Sequence, residues 1–153
     1  MTLYVVRHAK AGSRAKWEGS DDQRPLTKPG RRQAAGLVEL LAGEGITRVL
    51  SSPYVRCRQT VEPLAERLRL PVDLADALEE GASLRDTLAL IDKLDDERAV
   101  LCTHGDVIGW LLDHCARQGV HLPDDRLEKG STWVFETEAG AIVEGRYLPP
   151  PES

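Results

Sequence analysis

Apolar residues recur along this chain in two alternating rhythms. Short, nearly continuous apolar runs are separated by stretches where they return every third or fourth position. Leu3–Val6 is such a run, β-branched at Val5 and Val6, and predicts a fully buried strand. Residues 11–25 have no periodicity and many turn formers, which predicts a long loop of the kind that often binds ligands. Ala34, Leu37, Val38 and Leu41 mark one face of a first helix that starts near Thr27–Pro29 and ends at Gly43 and Gly45. Ile46–Leu50 predicts a second strand. Ser52-Pro53, an N-cap before a proline at the first helical position, predicts a helix with Arg56 in its first turn. Pro63 predicts a kink or break in that helix. A brief third strand is expected at Pro71–Leu74. Ser83 and Asp86 form a capping-box-like start to a helix burying Leu84, Leu88 and Ile91. Arg98–Thr103 predicts a fourth strand. It ends in the tight turn Thr103-His104-Gly105-Asp106, with Asp106 as N-cap of a helix burying Ile108, Leu111, Leu112 and Cys115. Thr132–Glu136 and Ala141–Tyr147 predict a closing strand pair about the turn Glu138-Ala139-Gly140.

Strands alternating with helices predict an α/β fold, a three-layer α/β/α arrangement with a mainly parallel central sheet. One domain is expected over residues 1–148, with the proline-rich residues 149–153 as a flexible tail. Open parallel sheets bind ligands off the carboxyl ends of their strands. That rim should receive Arg7 and His8 after the first strand, Arg56 after the second, Glu79 and Glu80 after the third, and His104 after the fourth. Four separate segments thus converge on one edge.

The net charge of −5 argues against a general nucleic-acid or membrane-surface role, while 20 lysines and arginines leave room for a local basic pocket. Three cysteines without C-x-x-C spacing, and no signal or membrane-spanning stretch, point to the cytoplasm. The rim residues suit phosphoryl chemistry. Arg7 and Arg56 present planar forks to phosphate oxygens. A neutral histidine can attack phosphorus. A second one can donate to the oxygens as charge spreads over them, and a glutamate can protonate the leaving oxygen and then activate water. Gly105 lets the backbone approach a ligand at a helix N-terminus, where free N–H groups attract anions. Lys10, Arg14, Lys16 and Arg24 make the loop basic, suited to a polyphosphate or an acidic protein, or simply solvated. Trp17 can stack on a base or pin the loop. A zinc site at Cys102, His104 and His8 is rejected, because two arginines beside it would repel a dication.

The same residues resemble a known family. Arg7-His8-Ala9, the segment Ser51-Ser52-Pro53-Tyr54-Val55-Arg56-Cys57-Arg58-Gln59-Thr60, the helix start Leu26-Thr27-Lys28-Pro29-Gly30-Arg31-Arg32-Gln33-Ala34, and Thr103-His104-Gly105 resemble, in order, the signatures of the histidine phosphatase (phosphoglycerate mutase-like) superfamily. The resemblance spans about residues 3 to 112. It implies a phosphoglycerate mutase-like fold and a metal-independent phosphatase that needs no cofactor, with His8 as the phosphorylated nucleophile and Arg7, Arg56 and His104 holding the phosphoryl group. The family's acid position falls on Glu80, with Glu79 beside it as the alternative. Lys10, Arg24, Ser52 and Gly105 are candidate substrate-binding residues. Arg7-His8-Ala9-Lys10, the Trp17 loop, Arg24-Pro25-Leu26 and the short length look like the SixA-like branch, which favours a phosphohistidine protein as substrate. The pattern is also similar to the phosphatase half of Nudix–phosphatase fusions of nucleotide clean-up, which makes small phosphoesters or nucleotides the alternative. Lys10 stands where the mutase pattern has an acidic or amide residue, which speaks against mutase activity. A non-catalytic phosphate-binding module is the competing class, disfavoured because a binder has no need of His8.

Overall fold

A computed structural model describes all 153 residues. A single six-stranded sheet runs through it. The strands are β1 (Thr2–Arg7), β2 (Arg48–Ser51), β3 (Val72–Leu74), β4 (Ala99–Thr103), β5 (Thr132–Glu138) and β6 (Ala141–Leu148), in the order β3-β2-β4-β1-β5-β6. The pairs β3-β2, β2-β4 and β4-β1 are parallel, whereas β5 runs antiparallel to β1 and β6 antiparallel to β5. Four helices cover it: α1 (Lys28–Leu41), α2 (Val55–Leu68), α3 (Leu84–Lys93) and α4 (Gly105–Arg117). This is the three-layer α/β/α arrangement expected.

Side-chain alternation along the strands decides the layers. Tyr4 and Val6 of β1, with Val100 and Cys102 of β4, face Leu37, Leu41, Val61 and Leu64 of α1 and α2. Leu3, Val5 and Leu101 face the other way, onto Ile91 of α3 and Ile108 and Leu111 of α4, with Trp133 and Phe135 of β5. The helices that follow the neighbouring strands β1 and β4 therefore lie on opposite faces. A crevice opens at such a switch point, off the strands' carboxyl ends. The β1–β4 register pairs Arg7 with Thr103, and His8 N–H donates to the Thr103 carbonyl at 3.0 Å. His8 and His104 are thereby delivered side by side.

Some local expectations change. Pro63 does not interrupt α2, which runs unbroken from Val55 to Leu68. Interior proline costs roughly 3 kcal/mol. Burying Val61 and Leu64 recovers roughly 1.5–3 kcal/mol each, enough to carry the helix through. Helix α2 also starts two residues later than Ser52-Pro53 predicts, with Tyr54 as its N-cap, while the Ser52 hydroxyl lies between Tyr54 N–H and His104 Nε2. His104, not Asp106, caps α4, and the Asp106 carboxylate takes the N–H groups of Val107 and Gly81 instead. Thr27 and Ser83 cap α1 and α3 as expected, through Gly30 and Asp86 N–H. The tail, expected to be loose, is placed against α1: Pro151 lies over Gly36, and Lys10 Nζ donates to Ser153 Oγ at 2.7 Å. No helix is long and apolar enough to cross a membrane.

Candidate active site

At the carboxyl ends of β1 and β4 lies a cavity of about 510 Å³, walled by Arg7, His8, Arg14, Arg24, Glu80, His104, Gly105 and Lys129 among others. His8 is 6% exposed. Its Nδ1 lies 2.8 Å from the Ala9 carbonyl, which can only accept, so Nδ1 carries the proton and Nε2 keeps its lone pair. Burial, together with the nearby His104 ring and the Arg56 and Arg7 guanidinium charges, holds His8 far below the usual histidine range, at about 3, against the opposing pull of the Ala9 hydrogen bond. A neutral imidazole with a free nitrogen is the form that attacks phosphorus.

The His104 ring packs edge-on to His8, centroids 5.5 Å apart. The Ser52 hydroxyl accepts from Tyr54 N–H at 3.2 Å and lies 2.9 Å from His104 Nε2. Aiming the hydroxyl proton at Nε2 leaves the His104 proton on Nδ1, which is buried and has no partner. Arg7 Nε and Arg56 Nε are likewise buried and unpartnered. Three orphaned donors on residues that converge at one place cost free energy until an anion accepts from them.

Gly105 lines the cavity and also packs against Arg7. What approaches its backbone is the Arg7 guanidinium: a Cβ at Gly105 would stand 2.9 Å from Arg7 Cζ. Gly105→Ala is therefore expected to push Arg7 aside, which would raise KM in steady-state kinetics about tenfold through loss of one charge-assisted hydrogen bond. An unchanged KM would show that Arg7 accommodates the methyl group.

Arg56 is fully buried. Its Nη1 donates to the Asp21 carbonyl at 2.8 Å, its Nη2 to the Asp21 carboxylate at 3.1 Å, and Glu80 stands 3.5 Å away. Tyr54 lies against the guanidinium, 4.9 Å from ring centroid to Cζ. Glu80 lines the cavity and pairs with Arg14 at 2.8 Å; Glu79 is not among the lining residues. Arg24 lines it as well, with Nε on Asp21 at 3.1 Å and Nη1 on the Gly12 carbonyl. Ser52 is close to the site but sits behind His104, with no exposed surface.

Lys10 lies outside the cavity. Its backbone is tied to α1, donating to Gln33 Oε1 and accepting from Thr27 N–H, and this directs the side chain toward the tail. Trp17 pins its own loop through Nε1 on the Ser20 carbonyl. Cys57, buried 3.5 Å from His104 Nε2, is raised by burial but held below the usual thiol range by hydrogen bonds with Cys102 and His104.

Two contributors escape a linear reading. Asp21 gathers Arg14, Arg24 and Arg56 around one carboxylate, and only its place in a charged loop hinted at this. The segment 127–130 forms the far wall: Arg7 Nη1 donates to the Leu127 carbonyl at 2.6 Å, and Gly130 N–H to the Arg7 and His8 carbonyls. No group of three His, Cys, Asp or Glu side chains is arranged to hold a metal ion.

The histidine phosphatase superfamily (branch 1) profile matches residues 3–85, more than half of the chain. The chain belongs to the histidine phosphatase superfamily. Two of the relatives it is similar to are named as phosphatases. An 8-oxo-(d)GTP phosphatase of Mycolicibacterium smegmatis is 39% identical over 99% of this chain, which spans 49% of that protein's length. Phosphohistidine phosphatase SixA of Escherichia coli K12 is 31% identical over 73% of this chain and 72% of its own. Among solved structures, the protein histidine phosphatase SixA complexed with tungstate aligns at a TM-score of 0.73 and 21% identity, covering 99% of this chain and 97% of that one. A mycobacterial glucosyl-3-phosphoglycerate phosphatase in complex with VO3 aligns at 0.70 and 19% identity, covering 96% of each. The histidine phosphatase and phosphoglycerate mutase-like fold expected from the sequence is the one these neighbours share.

Proposed function

We propose that this phosphatase works through a phosphohistidine on His8 and that its substrates are small phosphorylated molecules of the nucleotide class. The observation that carries the first part is the His8 Nδ1–H bond to the Ala9 carbonyl, which leaves Nε2 as a neutral, buried nucleophile. Nε2 attacks phosphorus while the bond to the leaving oxygen breaks, and the electron pair departs with that oxygen. Arg7, Arg56 and His104 Nδ1–H receive the charge that spreads over the phosphoryl oxygens. Glu80, lining the cavity, gives a proton to the leaving oxygen. In the second step it takes one from the water that cleaves the N–P bond.

In the free enzyme Glu80 pairs with Arg14 at 2.8 Å and stands 3.5 Å from Arg56. An incoming phosphoryl group competes for both guanidinium groups and so frees the Glu80 carboxyl group to meet the leaving oxygen. Leaving groups differ in their need for a proton. Glu80→Gln should therefore slow hydrolysis of alkyl phosphates by about 10²-fold or more and of p-nitrophenyl phosphate much less. Equal losses on both would remove Glu80 from the acid role.

The nucleotide class is supported by the 39% identity to the 8-oxo-(d)GTP phosphatase across 99% of this chain, against 31% over 73% for SixA. A phosphohistidine protein is the second reading. Its support is that relationship to SixA and a site whose lip carries the exposed Arg14. Phosphate release, measured with chelator present on a phosphohistidine protein and on a panel of nucleotides and sugar phosphates, separates the two. Nucleotide turnover well above that of the phosphoprotein is expected. The reverse ranking would hand the assignment to the second reading, and loss of activity with chelator would overturn the metal-independent mechanism.

A further inference from the structure

The phosphoryl reading uses Arg7, His8 and His104 of the cavity wall and the buried Arg56 behind it, and Glu80 pairs with Arg14. Lys129 remains. It lines the same cavity from the far-wall segment 127–130, and its side chain has no role in the phosphoryl chemistry described above. Its position is built. Gln33, 2% exposed, donates from Nε2 to the Lys129 carbonyl at 3.2 Å, while its Oε1 accepts from Lys10 N–H. The next residue, Gly130 (φ +86°), donates to the Arg7 and His8 carbonyls at 3.1 and 3.0 Å, with Gln33 packed so closely that a Cβ there would stand 3.0 Å from its amide. The backbone at Lys129 is thus clamped to the two residues that start the site, and its side chain is exposed at the cavity.

Its ammonium has no counter-ion. No carboxylate lies within ion-pairing distance, and the neighbouring Glu128 accepts instead from the Tyr147 hydroxyl at 3.1 Å. Partial burial, and then the charges of Arg7, Arg24, Arg56 and Arg14, press Lys129 below the usual lysine range. A lysine rooted beside these arginines with no carboxylate partner of its own is stabilised by an anion that enters the cavity.

We propose that Lys129 forms a second anion subsite beside the phosphoryl pocket and that it takes the adjoining phosphate of a phosphoanhydride substrate, the diphosphate or triphosphate end of a nucleotide. This rests on the phosphatase reading above and names its substrate class. When Nε2 of His8 bonds to the terminal phosphorus, the bridging P–O bond breaks and its electron pair leaves on the shortened nucleotide. Lys129 meets that departing negative charge where it grows. Water then cleaves the N–P bond, releasing phosphate and restoring His8. A phosphohistidine protein makes no such use of Lys129, because its leaving group is an imidazole.

Calorimetric titration tests the subsite without turnover. Methylenediphosphonate, which cannot be hydrolysed, should bind wild-type protein about tenfold or more tighter than inorganic phosphate, the scale of one charge-assisted hydrogen bond. In Lys129→Ala that ratio should collapse toward one. Equal affinities in wild type, or a preference that survives in Lys129→Ala, overturn the proposal. In kinetics, the ratio of kcat/KM for a nucleoside diphosphate to that for p-nitrophenyl phosphate should fall about tenfold in Lys129→Ala. An unchanged ratio, with both substrates slowed alike, would make Lys129 a general positioning residue and refute its role in selection. If wild-type protein releases no phosphate from any substrate, the phosphatase mechanism fails, and the calorimetric ratio still decides whether the subsite exists.

Discussion

His8→Ala is expected to reduce phosphate release to background, a loss of about 10³-fold or more, the scale seen when a covalent nucleophile is removed. The expectation follows from where the proton sits. With Nδ1–H on the Ala9 carbonyl and Nε2 unprotonated, no other group in the cavity is a neutral nucleophile of comparable strength. Rapid quench with phosphorus-labelled substrate should trap an acid-labile, alkali-stable phosphoenzyme in wild type and none in His8→Ala. Labelling that persists in the variant would place the nucleophile elsewhere. Because His8 is buried, His8→Asn serves as a second variant that preserves polarity, and it should be equally inactive.

The depressed His8 value makes a separate statement about pH. Its folded value lies near 3 and the unfolded one near the usual 6.5. As pH falls through that window the unfolded chain binds a proton that the folded one does not, so stability declines with acidity and this contribution is absent above the window. The His8 side-chain NMR signals should stay those of a neutral imidazole from pH 8 down to about pH 5. Titration near neutrality would show that the surrounding positive charges and burial do not govern this ring.

Arg56→Ala carries the other large effect. Two charge-assisted hydrogen bonds to the phosphoryl oxygens, at roughly 1.5–3 kcal/mol each, correspond to a loss of about 10²–10⁴-fold in kcat/KM. The variant should also lose thermal stability. The guanidinium fills a fully buried site, holds the Asp21 carbonyl and carboxylate, and packs on Tyr54. Asp21 is one-third exposed and keeps Arg14 and Arg24, so the stability cost should stay well below that of a fully buried pair. Arg56→Lys separates the two roles. It keeps the charge without the fork that grips carbonyl and carboxylate together. Its melting temperature should fall between those of wild type and Arg56→Ala, while its kcat/KM stays close to that of Arg56→Ala. Full activity in Arg56→Lys would mean that charge alone suffices.

Much of this site was legible in the chain. The short continuous apolar runs at Leu3–Val6 and 98–103 and the three-to-four spacing around Leu37 and Leu111 imply parallel strands with crossover helices. Parallel strands bring their carboxyl ends to one edge, so Arg7, His8, Arg56, Glu80 and His104 had to share a rim. Local rules of this kind act over a few residues, and one strand register aligns two distant segments at once.

The contacts that cross between segments were not legible. Nothing near Ser52 announces that its hydroxyl belongs to His104 rather than to a helix end, since 52 residues separate them. Nothing near Lys10 shows that Gln33 and Thr27 turn its side chain away from the cavity. Asp21 among its three arginines, and Lys129 clamped beside Arg7, depend on side chains that meet only after the sheet has formed. By itself, then, the sequence determined the layers, the rim and the kinds of groups on it, because backbone periodicity and strand chirality act locally. Which carboxylate faces the cavity, which nitrogen of each histidine is free, and which cations are left without a partner were decided by tertiary packing, because hydrogen bonds and charge pairs are settled by distance in space.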